Sequence, residues 1–275
     1  MRNQWVWPIL ALALLTAGPS IPAAGEERVA FIIGNSDYLH AEQLKNPGND
    51  ASALKAAFTR LGYQVIHGKD LSQERLTSQV RSFVERLVGV EVAVFFYAGH
   101  GLQIDGKNFL VPVDFDPNRK EHLTAQLVQL DIILEGMSKR ARHTLVFLDA
   151  CRDNPFTTDL KSKLTSRGAL SLDATRGVQV VGTGLAEVKG RVGTLIAYAT
   201  QPGNVASDGV GLNSPFTSGL LKNLEKPGLE VRELLTKVRV SVVEETAGAQ
   251  IPWDHSSLLD NFYIKKMPRR FVPPP

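Results

Sequence analysis

The chain has 275 residues, 43% hydrophobic and 21% charged, with a single cysteine and a formal net charge of +3. That length suits one α/β domain or two small ones and can bury a large core without covalent staples. One cysteine excludes an internal disulfide, and the near balance of charge gives no strong pull toward nucleic acid.

In chain order, residues 1–24 have the pattern of an export signal. Arg2 supplies a positive start, Trp5 to Ala17 an apolar core, and Gly18-Pro19-Ser20 with Pro22-Ala23-Ala24 a turn and small residues. That core is short for a bilayer span, which takes about 20 apolar residues, and no later stretch is long and apolar enough; an uncleaved N-terminal anchor is the alternative. The chain is expected to be exported, to the periplasm or outside the cell. Next, Arg28 to Gly34 (RVAFIIG) has the pattern of a strand. Asp50 stands before a helical stripe of Leu54, Ala57, Phe58 and Leu61, closed by Gly62. Tyr63 to Ile66 is a second strand, and Ser72 opens a helix bearing Leu76, Val80, Phe83, Val84 and Leu87. Val92 to Tyr97 (VAVFFY) is a third strand, Leu123 to Met137 a helix, Leu145 to Leu148 a fourth strand and Thr194 to Ala199 a fifth. Two helical stripes follow, Phe216 to Leu224 and Val231 to Val242, then a last strand at Asn261 to Ile264 and a Pro-rich tail expected to be disordered.

Strands alternating with helices predict an α/β fold, a mostly parallel six-stranded sheet sandwiched by helices. Strands apolar on both faces fit that burial. In such sheets the crevice lies beyond the carboxyl ends of the strands. Two residues fall there: His100 after VAVFFY, and Cys151 after LVFL. A free thiol in an oxidising compartment is a liability unless buried or used, and buried is its common fate. If used, it needs activation, because an ordinary cysteine titrates near pH ~8.5. A neighbouring imidazole can take that proton and later give it to a leaving amine. Gly99 and Gly101 flank His100 and allow close approach of a ligand, and the N–H groups of Gly101 and Cys151 are candidate oxyanion donors. The competing reading of His100 is a loop histidine at a strand end. A zinc site is disfavoured by the lone cysteine and the missing HExxH pattern, and serine hydrolysis by the missing G-x-S-x-G elbow.

The segments RVAFIIGNSDY, LKNPGNDASAL, VFFYAGHGL, NFLVPVD, LVFLDACRDNPF and GTLIAYATQPG together resemble the caspase-like cysteine peptidases, specifically bacterial relatives of metacaspases and paracaspases. The resemblance covers residues 28 to 264, and the His-to-Cys separation matches the ~50 residues noted for caspases. It implies a catalytic dyad of His100 and Cys151, an oxyanion hole at the Gly101 and Cys151 amides, and a caspase-hemoglobinase fold. It further implies a large catalytic part at 25–160, an exposed basic linker at 161–192, a small part at 193–266 and a tail at 267–275. Where caspases carry Gln two residues before the cysteine, this chain has Asp149, which resembles the acid lining the S1 pocket of metacaspases and paracaspases; Asp50 resembles a second pocket acid. Carboxylates in a partly desolvated pocket favour a cationic P1 residue, so cleavage after Arg or Lys is expected. For Asp50 a plain helix N-cap, and for Asp149 a strand-end bond to the next loop, are the alternatives.

The linker holds Lys161, Lys163, Arg167, Arg176, Lys189 and Arg191, so self-cleavage after Lys163, Arg167 or Arg176 is an expectation, a merely solvated basic loop the alternative. No cofactor is expected. Calcium is left open: Asp105, Asp114 and Asp116 are available, but their spacing matches no defined ligand loop. The expected partner is a peptide or protein substrate, with no nucleic acid and no membrane span in the mature chain. A catalytically silent interaction module on the same fold, or a thiol amidase acting on cell-wall peptides, are the rival functions.

Overall fold

Side-chain parity along three strands sorts the core into two layers. In β1 (Arg28–Gly34), Ala30 and Ile32 face one layer and Val29, Phe31 and Ile33 the other. In β3 (Val92–Ile104), Val92, Val94, Phe96 and Ala98 alternate with Ala93, Phe95 and Tyr97, and in β6 (His143–Cys151), Leu145 and Phe147 alternate with Val146, Leu148 and Ala150. No face of these strands meets water, as expected of parallel strands covered on both sides. The computed structural model describes residues 27–104, 106–119, 123–151, 185, 190–201 and 206–267, with Cys151 described by its backbone. The expected export segment, Asp105, residues 268–275 of the tail, and most of the linker, including Lys161, Lys163, Arg167, Arg176 and Lys189, lie outside the described residues.

The central sheet runs β2 (Gln64–Lys69), β1, β3, β6, β7 (Thr194–Tyr198), β8 (Trp253–Ser256). The pairings are parallel as far as β7, and β8 closes the edge antiparallel. The six-stranded sheet of the sequence analysis is therefore present. It is extended by a small antiparallel arm, β4 (Lys107–Leu110) and β5 (Val128–Gln129), which pairs with the far end of β3. Helix α1 (Pro47–Arg60) covers one face with α4 (Pro215–Asn223) and α5 (Val231–Glu245). Helices α2 (Gln73–Arg86) and α3 (Leu130–Ser138) cover the other.

Three expectations are corrected. The last strand is Trp253–Ser256, not Asn261 to Ile264; Phe262 and Ile264 are buried, but only Tyr263 makes an isolated bridge, to Glu230. The sequence WDHS lacks apolar alternation because an edge strand is held by its backbone pairing. The helix expected at Leu123 to Met137 is instead a short 3-10 turn at Leu123–Gln126, the strand β5, and then α3, because Gln129 is extended and caps α3 from outside. Asp50 is not an N-cap: α1 starts at Pro47, and Asp50 lies within its first turn, donating its N–H to Asn46 O at 2.8 Å. Proline preorganises that start. Gly34 permits it, since a side chain there would meet the Pro47 carbonyl oxygen at 2.1 Å.

Candidate active site

Strand register brings the first two candidates together. Val92 pairs with His143, and eight residues later the same ladder sets His100 directly across from Cys151. The HGL segment is no loop: β3 runs through it to Ile104. His100 is 3% exposed. Its N–H donates to Tyr38 Oη at 2.7 Å, and its ring packs on the Tyr38 ring at 4.4 Å between centroids. Its Nε2 lies 3.0 Å from the Glu42 carbonyl oxygen. A carbonyl only accepts, so Nε2 carries the proton in this contact and Nδ1 is the basic nitrogen. Burial lowers the imidazole's pKa from 6.5, with the Glu42 contacts and Asp208 opposing, so the neutral, proton-accepting form is favoured.

Gly101 is placed by its neighbours. The His100 carbonyl accepts from Val111 N at 3.1 Å and from Tyr97 Oη at 2.8 Å, on the flank of β3 where Ala98 O also accepts from Asn35 N. The described peptides are trans, so the Gly101 N–H points the opposite way, toward β6 and its last residue, Cys151. Leu185, from the span expected to be an exposed loop, is buried; its Cδ2 lies 3.0 Å from where a Gly101 Cβ would stand.

The two acids also converge. Asp149 pairs with Ala98 along the β3–β6 ladder, and its Oδ2 accepts from Ser214 Oγ and from Thr217 Oγ1, the latter at 3.1 Å. Asp50 Oδ1 accepts from Asn213 Nδ2 at 2.8 Å and from the Ser214 N–H at 3.1 Å. Ser214, the N-cap of α4, therefore bridges the two carboxyls, one through its backbone and one through its hydroxyl. Burial pushes Asp50 up to about 8, reinforced by the negative charge of Asp149 and opposed by its two hydrogen bonds. Burial raises Asp149 to about 6 despite its two hydroxyl donors. Two buried carboxyls in one site cannot both ionise cheaply without a cation beside them.

Sequence reasoning missed Tyr38, Glu42, Tyr97, Asp208, Asn213, Ser214 and Thr217. Asp208 is the third acid. Its carboxylate accepts from the N–H groups of Lys45, at 2.7 Å, and Asn46, at 3.2 Å, tying the 206–213 loop to the start of α1. Its charge also raises both buried acids. Asn46 occupies the N-cap of α1, yet its side chain makes no cap bond and reaches instead the carbonyls of Asp208 and Gly209. The two described calcium candidates each accept a backbone N–H. Asp114 accepts from Gln73 N at 2.8 Å, and Asp116 from Asn118 N at 2.8 Å. Among the described residues no group of three or more His, Cys, Asp or Glu side chains is disposed to hold a metal ion, and no helix is long and apolar enough to cross a membrane.

This architecture defines a caspase-like α/β protein. The chain belongs to the caspase-domain family of peptidases, Peptidase C14, which matches residues 27–263. That is a family of cysteine peptidases acting on protein substrates. Among curated proteins, the human mucosa-associated lymphoid tissue lymphoma translocation protein 1 is 32% identical over 129 residues, 46% of this chain and 15% of that protein. The Dictyostelium discoideum paracaspase is 24% identical over 151 residues, 49% of this chain and 33% of that protein. The chain thus spans well under two thirds of the length of these relatives. Among solved structures, caspase-1 from Spodoptera frugiperda aligns with a TM-score of 0.60 at 17% identity, covering 90% of this chain and 93% of the other, a likeness of fold.

Proposed function

We propose that this chain is an exported cysteine endopeptidase that cleaves after Arg or Lys. The observation that carries the reading is the juxtaposition of the His100–Cys151 register with a buried acid pair bridged by Ser214. His100 takes the Cys151 proton, and the thiolate sulfur adds to the scissile carbonyl carbon. The negative oxygen is met by the Gly101 and Cys151 N–H groups. The proton passes from His100 to the leaving amine, the C–N bond breaks, and a thioester remains. Water adds to the thioester, releasing the acid and returning the proton to sulfur.

Asp149 and Asp50, reinforced by the charge of Asp208, receive the P1 cation. At neutral pH Asp50 is largely protonated, given its pKa of about 8. An arriving guanidinium or ammonium draws that proton off, so binding and deprotonation are coupled. An anionic P1 side chain would meet up to three carboxyls and is excluded.

Export is supported by the pattern of residues 1–24, and self-processing by the basic residues of the linker. Arg191 is a poor target among them. Its carbonyl accepts from Thr194 N at 3.0 Å and from Ser257 Oγ, and its guanidinium lies 3.8 Å from Glu135. Lys163, Arg167 and Arg176 are the proposed cuts.

A peptide library varied at P1, run on wild-type protein and on Asp149→Ala and Asp50→Ala, tests the proposal. Arg and Lys should dominate with wild type, and each variant should lose most of that preference. Equal cleavage after Arg, Asn and Leu by wild type would end it. Sequencing new N-termini after incubation tests self-processing; a chain that stays intact while cutting added peptides removes that part.

A further inference from the structure

Gly99, His100 and Gly101 are held from beneath by two phenol groups that the chemistry above does not use. Tyr97 is fully buried and Tyr38 is 3% exposed. Their hydroxyl oxygens lie 3.4 Å apart and fill the place where a Gly99 side chain would stand, at 2.6 Å and 2.8 Å from its Cβ position. Gly99 has φ +150, and with that space taken only glycine fits. Tyr38 Oη accepts the His100 N–H, while Tyr97 Oη donates to the His100 carbonyl. The two tyrosines therefore grip both peptide groups of His100, one on each side of its Cα.

The second grip reaches further than the histidine. The His100 carbonyl and the Gly101 N–H belong to one planar group, so whatever fixes the first aims the second. Tyr97 Oη also lies 3.1 Å from the Val111 carbonyl, but that carbonyl has another donor, Asn35 Nδ2 at 3.1 Å. The His100 carbonyl has a second donor too, Val111 N at 3.1 Å, but it is the nearer acceptor of the phenol, at 2.8 Å, and takes the Tyr97 proton. We infer that Tyr97 and Tyr38 are positioning residues of the peptidase site: Tyr97 aims the Gly101 N–H at the oxygen that develops negative charge, and Tyr38 sets His100 against Cys151. This inference rests on the reading given under Proposed function.

The two roles separate experimentally. Alkylation of Cys151 by iodoacetamide requires the thiolate and therefore His100, but it develops no oxyanion. Peptide turnover requires both. Tyr97→Phe keeps the buried ring and removes only the hydroxyl. Its kcat on an Arg-P1 peptide should fall about tenfold, a fraction of the 10²–10³ lost when an oxyanion donor is removed outright. Its KM and its alkylation rate should stay within about twofold of wild type. Tyr38→Phe should lower alkylation rate and kcat together and shift the pH profile of alkylation. Tyr97→Phe with unchanged kcat overturns the inference, and so does a parallel loss of kcat and alkylation, which would mark a general structural role. A wild-type protein inert toward Arg-P1 peptides instead overturns the peptidase reading, so the two failures are distinguishable.

Discussion

Replacing Ser214 by Ala tests the acid site most sharply, because one hydroxyl makes two of its contacts. Ser214 Oγ donates to Asp149 and accepts from Thr217 N at 3.0 Å, while the bond from Ser214 N to Asp50 is retained in alanine. A hydrogen bond to a charged group contributes about 1.5–3 kcal/mol, and loss of a serine N-cap costs about 1 kcal/mol. The variant should be less stable by roughly 2.5–4 kcal/mol in urea unfolding at pH 8, where Asp149 is ionised. Thr217 Oγ1 then remains as the side-chain donor to Asp149. The carboxyl, already raised to about 6, should move further up toward neutral pH. The KM for an Arg-P1 peptide should therefore rise at pH 7 and recover toward wild type at pH 9, with kcat less affected. A stability loss under about 0.5 kcal/mol, or a KM deficit independent of pH, would refute the reasoning.

Other variants probe the same physics. Asp50 has a folded pKa of about 8, above its unfolded value, so its contribution to stability is present at low pH and is lost as pH rises from about 4 through 8. Asp50→Asn, which can still accept from Asn213 and Ser214, should match wild type in stability near pH 4 and exceed it above pH 8, while losing Arg selectivity; thermal melts across that range check it. Gly99→Ala should destabilise by about 1–3 kcal/mol through overpacking alone and abolish peptide turnover, because its methyl displaces both tyrosine hydroxyls. The acid limb of kcat/KM should fall below the ordinary imidazole value of 6.5, since burial lowers the His100 pKa; a limb above 6.5 would contradict that assignment.

The part of the site that sequence made legible is the part built from strand pattern. VAVFFY and LVFL are apolar on both faces, which marks central parallel strands. His100 and Cys151 stand equally far from the paired starts of β3 and β6, so any in-register pairing brings them level. The remainder is carried by contacts with no local signature. Asp50 meets Asn213 across 163 residues, Asp149 meets Ser214 across 65, and His100 meets Tyr38 across 62. A serine opening a helix gives no sign that its hydroxyl also serves a distant carboxyl. The β4–β5 arm was hidden for a related reason: KNFL and VQ are too short for a period to show, and their pairing with the end of β3 defines them. Polar WDHS likewise became a strand only through its backbone bonds to β7.

The central claim is that His100 activates Cys151, and the pH dependence of Cys151 alkylation in wild type and His100→Ala measures it directly. Wild type should react rapidly below pH 7, with one adduct mapped to Cys151, and His100→Ala should shift the reactive limb up toward the ordinary thiol value of ~8.5. Coincident profiles for the two proteins, both with that ordinary midpoint, would contradict the account.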